Sequence, residues 1–454
     1  MYSSLPAMNR LLRALACLLF LGGFAQGQTA PTNPPPADPP PGNPSAPDSK
    51  PGDIWSGNYM TGNWGGLRDE LKNDGFQITP NFTAEVFGNP SGGFKQGVVV
   101  PGVLEIPVDL DFDPMTNGAV KDLTFHVNAF YIYGNSLDAQ DVGDFSTISN
   151  ITAYNTVRLQ DLWMQKLLWD KKLSVRAGNL DIDTEFFQST SSALFACSTF
   201  GAFSLLANNI TNPPTYPLAA PGVRVQFLPT SQTYVMAGIY GRDDDGNPST
   251  KNQNGIRFAL DSGDGELIMS EAGYLLNQGP NDKGLPGAYR IGSFVDADNH
   301  VTWASRAQFA NGTGPLQKVG ANYGVYGVMD QQIYTQDKQA VSIFVRGANA
   351  PSNTNFVDWY VDGGFNFTGF VPGRDSDVAG LAVARSHISS AYSDSQVAQG
   401  NPPSTAETVI EATYKVQLNP WWTLQPDFQY IVTPSGVEGS HNATVLGLRT
   451  IVAF

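Results

Sequence analysis

The sequence predicts an all-β protein: a transmembrane antiparallel β-barrel of 16 strands with a constriction loop folded inward. Three observations carry this. Sixteen segments alternate apolar and polar residues with a period of two, the pattern of a sheet with one face in an apolar medium and one in water. The connections between them alternate between short and long, as in a barrel whose turns lie on one side of a membrane and whose loops lie on the other. No apolar run of about 18 residues occurs beyond the N-terminus, so strands, not helices, must cross any membrane.

Taken in order, residues 1–27 carry Arg10 and Arg13, an apolar run from Ala14 to Phe24, and Ala25-Gln26-Gly27 with small residues at the spacing of a signal-peptidase site. They read as an export signal starting at Met1 or Met8. Cys17 lies inside the apolar run instead of after it, which argues against a lipoprotein. Residues 28–53 form a disordered linker, with ten prolines between 29 and 53 and almost nothing that could enter a core. Residues 54–75 read as a short periplasmic or plug segment, with Leu67 and Leu71 on one face of a helix that Gly75 can end.

The barrel is expected over 76–454. Its strands are read at 76–87, 102–112, 121–133, 157–168, 173–180, 222–229, 233–241, 265–277, 287–296, 323–334, 339–347, 359–370, 378–389, 407–418, 421–432 and 445–454, with 255–260 as a further candidate. The pair 407–432 shows the pattern most plainly. Ile410, Ala412, Tyr414, Val416 and Leu418 alternate with Val409, Glu411, Thr413, Lys415 and Gln417. Across Asn419-Pro420, Leu424, Pro426, Phe428, Tyr430 and Val432 alternate with Thr423, Gln425, Asp427 and Gln429. The apolar face meets lipid, because only a closed barrel satisfies every backbone group in hydrocarbon. The terminal VLGLRTIVAF places Leu446, Leu448, Val452 and Phe454 on one face, which marks Phe454 as the signal for barrel assembly.

Composition narrows the function. The net charge of -15 becomes -17 without Arg10 and Arg13, which argues against nucleic-acid binding. The four histidines, His126, His300, His387 and His441, show no metal-ligand spacing, no nucleophile motif or phosphate loop appears, and no cofactor is implied. The acidic run RDDDGN at 242–247 lacks the remaining ligand spacing of a calcium loop and reads as a solvated loop. With the export signal removed, Cys197 is the one remaining cysteine, so no disulfide staples the fold.

Several blocks resemble the OprB family of carbohydrate-selective outer-membrane porins. They are TGNWGGLRDELKNDGFQITPNFTAEVFGNPSGG near the N-terminus, then RAGNLD with Phe186 beyond it, YGVYGVMDQ, IFVRGANAPSNTN and GFNFTGFVPGRDSD. The last strands add Glu411, Tyr414, Pro426, Gln429, Tyr430, Gly447 and Arg449. The resemblance covers about residues 54–454; the proline-rich leader and the acidic total depart from it. It implies a Gram-negative outer-membrane channel through which mono- and oligosaccharides diffuse, surrounded by lipid, inserted by the barrel-assembly machinery, and trimeric. A general or ion-selective porin is the alternative within membranes. From another class, the rival is a secreted all-β carbohydrate-binding protein or hydrolase, in which the apolar strand faces would form a core.

A sugar channel needs donors, acceptors and aromatic faces that replace sugar hydration weakly. On the polar strand faces stand Arg176, Arg224 and Arg346, with Arg158 on a poorly alternating strand, and Glu85, Glu105 and Asp109 as acidic partners. The loop after the fifth strand begins with Asp181, Asp183, Glu185, Phe186 and Phe187 and is too apolar for solvent, with Phe195, Phe200, Phe203, Leu205 and Leu206. Packing inside the barrel is expected of it.

Overall fold

A computed structural model describes residues 57–242, 248–260, 264–279 and 281–454. The export signal, the proline-rich linker and most of the acidic run at 242–247 lie outside the described residues. Sixteen strands span the wall: β1 Asn81–Ser91, β2 Gly102–Asp111, β3 Leu123–Tyr133, β4 Thr156–Leu168, β5 Leu173–Leu180, β6 Ala220–Thr230, β7 Thr233–Gly241 and β8 Glu266–Leu276. The second half comprises β9 Gly287–Asp296, β10 Asn322–Gln336, β11 Gln339–Asn349, β12 Val357–Thr368, β13 Val378–Ile388, β14 Ala406–Asn419, β15 Trp422–Val432 and β16 Ala443–Ala453.

From β2 onward each strand pairs antiparallel with its neighbours in sequence, and β16 returns to β1 with Asn81 opposite Ala453 and Glu85 opposite Arg449. The β1–β2 seam is pieced together. Pro80, Pro101 and Pro107 lack the N–H that a continuous ladder uses. Contact is carried instead by Phe76–Ile78 against β2, Val98–Val99 against β1, and Glu85 N–H donating to Pro101 O at 2.9 Å.

The expected alternation is visible in exposure. Val86, Val157, Val223, Val225, Ile239, Ile291, Leu381, Leu446 and Leu448 are exposed on the outer wall, while Thr83, Glu85, Arg224, Glu271, Glu411 and Gln429 are buried inside it. Fully burying one such aliphatic side chain contributes about 1.5–3 kcal/mol, so a register slip of one residue, which would exchange the faces, is strongly disfavoured. Tyr131 and Tyr323 near one rim, and Trp169, Tyr274, Tyr289 and Tyr334 near the other, are exposed on the outside, as in aromatic belts at membrane interfaces.

Three local readings change. The poor alternation around Leu159 has a cause: the β3–β4 register slips, with Asn128 opposite Asp161 and Ala129 opposite Leu159, so Gln160 is an extra residue. This bulge buries Gln160 and Asp161 side by side on the inner face. Segment 255–260 is not a strand. Residues 59–75 sit by the seam at the rim that carries the short turns, and include the helix Leu67–Asn73, which ends before Gly75 at φ 88°.

That rim segment binds both chain ends of the barrel. Met60 N–H donates to Ala453 O (2.8 Å) and Phe454 N–H to Pro80 O (2.9 Å). The Arg68 guanidinium lies 3.9 Å from the Tyr59 ring centroid and 4.2 Å from that of Trp64, and donates to Phe454 O (2.9 Å) and Ile78 O (3.2 Å).

Candidate permeation path

Two long connections enter the barrel: residues 181–219 between β5 and β6, and residues 134–155 between β3 and β4. The first carries its own apolar core. Phe186, Phe187, Phe195, Phe200, Phe203, Leu205 and Leu206 pack with Tyr234, Met236, Leu267, Met269, Tyr326, Phe344 and Tyr360 from the inner faces of β7 to β12. Burying this much aromatic surface drives the loop inward, but its backbone polar groups must then find partners.

Those partners are inward-facing side chains of the wall. Glu271 accepts from Phe187 N–H (2.7 Å), Asp330 from Ser189 Oγ (2.7 Å) and Ser191 N–H (3.1 Å), and Glu411 from Ala196 N–H (2.5 Å) and Cys197 N–H (3.0 Å). Gln425 Nε2 donates to Leu194 O at 2.8 Å. Arg346 donates to Gly201 O (2.8 Å) and Thr199 O (2.9 Å) and pairs with Asp362. At the loop's root, Arg224 Nε donates to both oxygens of Glu185 (3.0 and 2.9 Å), Nη1 to Ser174 Oγ (2.8 Å) and Nη2 to Gln165 Oε1 (3.2 Å).

The second inward loop was not read from the sequence, although Val142, Ile148 and Ile151 gave an apolar signal. Glu407 accepts from Phe145, Ser146 and Ser435 N–H, at 3.1, 2.8 and 2.7 Å. Glu85 accepts from Ser149 Oγ (2.6 Å) and Arg449 (2.5 Å). The two loops are joined by Asn150 N–H to Ala196 O (2.8 Å) and Ser198 N–H to Thr147 O (2.9 Å). Within this loop, burial pushes the Asp138 carboxyl up to about 6, although it accepts from Ile148 N–H at 2.8 Å. Burial beside Asp138 raises Asp144 well above the usual carboxylate range, and neither of its buried oxygens receives a conventional donor.

The expected site residues therefore divide. Arg224 and Arg346 face inward as the alternation requires, but they are 0% and 1% exposed and their donors are committed to the loop and to neighbouring strands. Glu185, Phe186 and Phe187 are likewise buried at the loop's root, and Glu85 beneath the second loop. Arg158 is buried near the rim that carries the long loops, against Tyr154. Asp181 accepts from Thr184 Oγ1 at 2.5 Å, and Asp183 from Tyr216 N–H at 3.0 Å.

What stays open inside lies on β2 to β5. Asp109, with a side chain 40% exposed, hydrogen-bonds His126 at 2.7 Å. His126 stacks on Trp163 at 4.6 Å and 15°. The Arg176 guanidinium lies 3.8 Å from the same Trp163 ring, approaching from β5 while His126 approaches from β3. Arg176 also donates to Gln165 Oε1 (3.1 and 3.0 Å) and pairs with Glu185 (2.8 Å), yet keeps N–H groups to spare. Glu105 is half-buried on the same face of β2, four residues before Asp109. Trp163 went unread because the bulge hid the phase of its strand.

A closed sixteen-stranded barrel with an apolar exterior, a polar interior and a loop folded across it is an outer-membrane porin. The profile of the carbohydrate-selective porin, OprB family, matches residues 104–454, and the chain belongs to that family. Porin B of Pseudomonas aeruginosa is 25% identical over 425 residues, covering 87% of this chain and 90% of that protein. The putative porin QuiX of Acinetobacter baylyi is 22% identical over 418 residues, covering 87% and 92%. The high-pH structure of Pseudomonas putida OprB superposes with a TM-score of 0.79 at 23% identity, covering 88% of this chain and 99% of that one. The protein is a carbohydrate porin of the outer membrane.

Proposed function

We propose that neutral mono- and oligosaccharides diffuse passively along the β2–β5 wall, past Asp109, His126, Trp163, Gln165 and Arg176. One observation carries this reading. The loop's apolar core packs on β7 to β12, while these half-buried polar side chains on the opposite arc keep unused donors and acceptors. Both sides of Trp163 are occupied, so it serves as a spacer that orients Arg176 instead of a stacking platform. Arg224 and Arg346 then set the width of the passage by fixing the loop, without meeting the solute. Residues 1–27 act as the export signal, 28–53 as a linker and 54–75 as a rim segment. Assembly by the outer-membrane machinery and association into trimers complete the proposal.

The test uses a cysteine at Asp109. Native Cys197 is buried, so the background thiol should not react. Labelling Asp109→Cys with a bulky hydrophilic thiol reagent should slow sugar flux into liposomes. Ser386→Cys, beneath the loop on β13, should resist labelling. Full labelling at 109 with unchanged flux would place the path elsewhere.

A further inference from the structure

Outside the channel, the described residues hold a cleft at the extracellular rim, between the β1–β2 loop and the β15–β16 loop. Its upper part encloses about 260 Å³ and includes Phe94, Val142, Glu438, Ser440 and His441 in its lining. An adjoining open part of about 670 Å³ shares Gly93 and His441 and reaches Gln96, Asn442, and the outward-facing Tyr430 and Thr444.

Phe94 is 70% exposed, which for an aromatic ring in a loop is informative only if the ring is held there. It is held. Phe94 N–H and Lys95 N–H both donate to Asp141 O (2.7 and 3.1 Å), Gly93 N–H donates to His441 O (3.2 Å), and Lys95 pairs with Asp141 (3.0 Å). Gly92 and Gly93 take φ of 78° and 65°, and a Cβ on Gly92 would fall 1.8 Å from Asn442 O, so the close approach of the two loops requires glycine there. On the facing side, Asn442 accepts from Thr433 N–H (2.9 Å) and donates to Tyr430 Oη (3.1 Å). The His441 ring and the Gln96 amide are exposed and have no partner among the described residues.

An exposed aromatic ring on a held backbone, sharing its cleft with an imidazole, a hydroxyl and a carboxylate and with an amide in the adjoining part, is the chemistry that holds a pyranose: C–H groups of the sugar on the ring, hydroxyls on the polar rim. We propose that this cleft is an external saccharide subsite, separate from the channel, that takes a pyranose unit of a glycan. The glycan comes either from dissolved oligosaccharide or from the sugar headgroup of outer-leaflet glycolipid. Because the loop backbone is already fixed, little of its ordering entropy is lost on binding, and weak affinity is expected.

The test places para-fluorophenylalanine at position 94 of the full chain, in a zwitterionic non-glycosidic detergent, and follows its fluorine resonance. Titrations use maltose in one arm and deacylated lipopolysaccharide in the other. A saturable shift is expected in at least one arm, and the responding arm identifies the source. His441→Ala and Gln96→Ala, both exposed and checked for heat-modifiable folding, should each weaken binding by about threefold to tenfold. No saturable shift in either arm, or unchanged affinity in both variants, overturns the proposal. Maltose flux by wild type into liposomes is measured separately: its absence would count against the channel reading and leave the cleft standing.

Discussion

Replacing Arg224 by methionine removes the charge at the loop's root and keeps the bulk. Arg224 is fully buried, and its guanidinium holds Glu185 through both oxygens, Ser174 Oγ and Gln165 Oε1. Removing one member of a buried ion pair typically costs about 3–5 kcal/mol, because the other is left uncompensated. Here Arg176 still reaches Glu185 at 2.8 Å, so the lower end, about 3 kcal/mol, is expected. The barrel has neighbouring ladders on both sides of β6 and survives; the cost falls on the loop, which opens at its root. Single-channel recording in planar bilayers should show higher conductance and frequent substates for Arg224→Met. Adding Glu185→Gln should recover much of the wild-type trace, since the stranded carboxylate is then gone. Wild-type conductance and noise in Arg224→Met would refute the assignment of Arg224 as a loop anchor.

Arg176→Ala acts on the solute instead. It should weaken sugar block of ion current while leaving mean conductance near wild type, because one charge-assisted hydrogen bond contributes at most about 1.5–3 kcal/mol and less in water; equal block in both would remove Arg176 from the path. In the second inward loop, the raised Asp138 carboxyl favours the folded state most at low pH, where it is protonated, and that advantage is lost as pH rises from about 4 to 6. Amide exchange across 134–155, corrected for its intrinsic pH dependence, should therefore accelerate over that window, by on the order of 2–3 kcal/mol in protection. Asp144→Asn supplies a donor to Asp138 and should flatten the dependence; an unchanged slope would dismiss the pair. Deleting Phe454 removes the backbone contacts to Pro80 and Arg68 and should lower the yield of heat-modifiable barrel under native expression. A tag between Asn401 and Pro402 should be reached from outside intact cells, and one between Asp337 and Lys338 should not; the reverse labelling would invert the barrel.

The wall was legible in the sequence because each strand states its two faces locally. Ile410 to Leu418 and Leu424 to Val432 fall outward, as their spacing requires, since lipid and water decide side-chain placement residue by residue. The apolar run from Phe195 to Leu206 likewise announced an inward loop. The fate of the inward polar residues was not legible. Whether Arg346 meets solute or the carbonyl of Gly201 depends on a contact 145 residues away in sequence, and Arg68 reaches Phe454 across 386. Nothing in a strand's own pattern encodes such a partner. Phe186 and Phe187 illustrate the same limit: their hydrophobicity placed them inside the barrel, but only the fold shows that they face β7 to β12 and not the passage. On β4 the bulge at Gln160 shifted the phase, and with it Trp163 went unnoticed.

The most direct measurement is liposome swelling by the purified porin with pairs of solutes matched in size: glucose against gluconate, and maltose against maltobionate. The β2–β5 arc presents the half-buried Glu105 and Asp109 beside Arg176. An arc of that balance should pass neutral sugar faster than its anionic partner, and the difference should shrink as added salt screens the carboxylates. Swelling that is fast with amino acids and salts of similar size but slow with glucose and maltose would contradict the account.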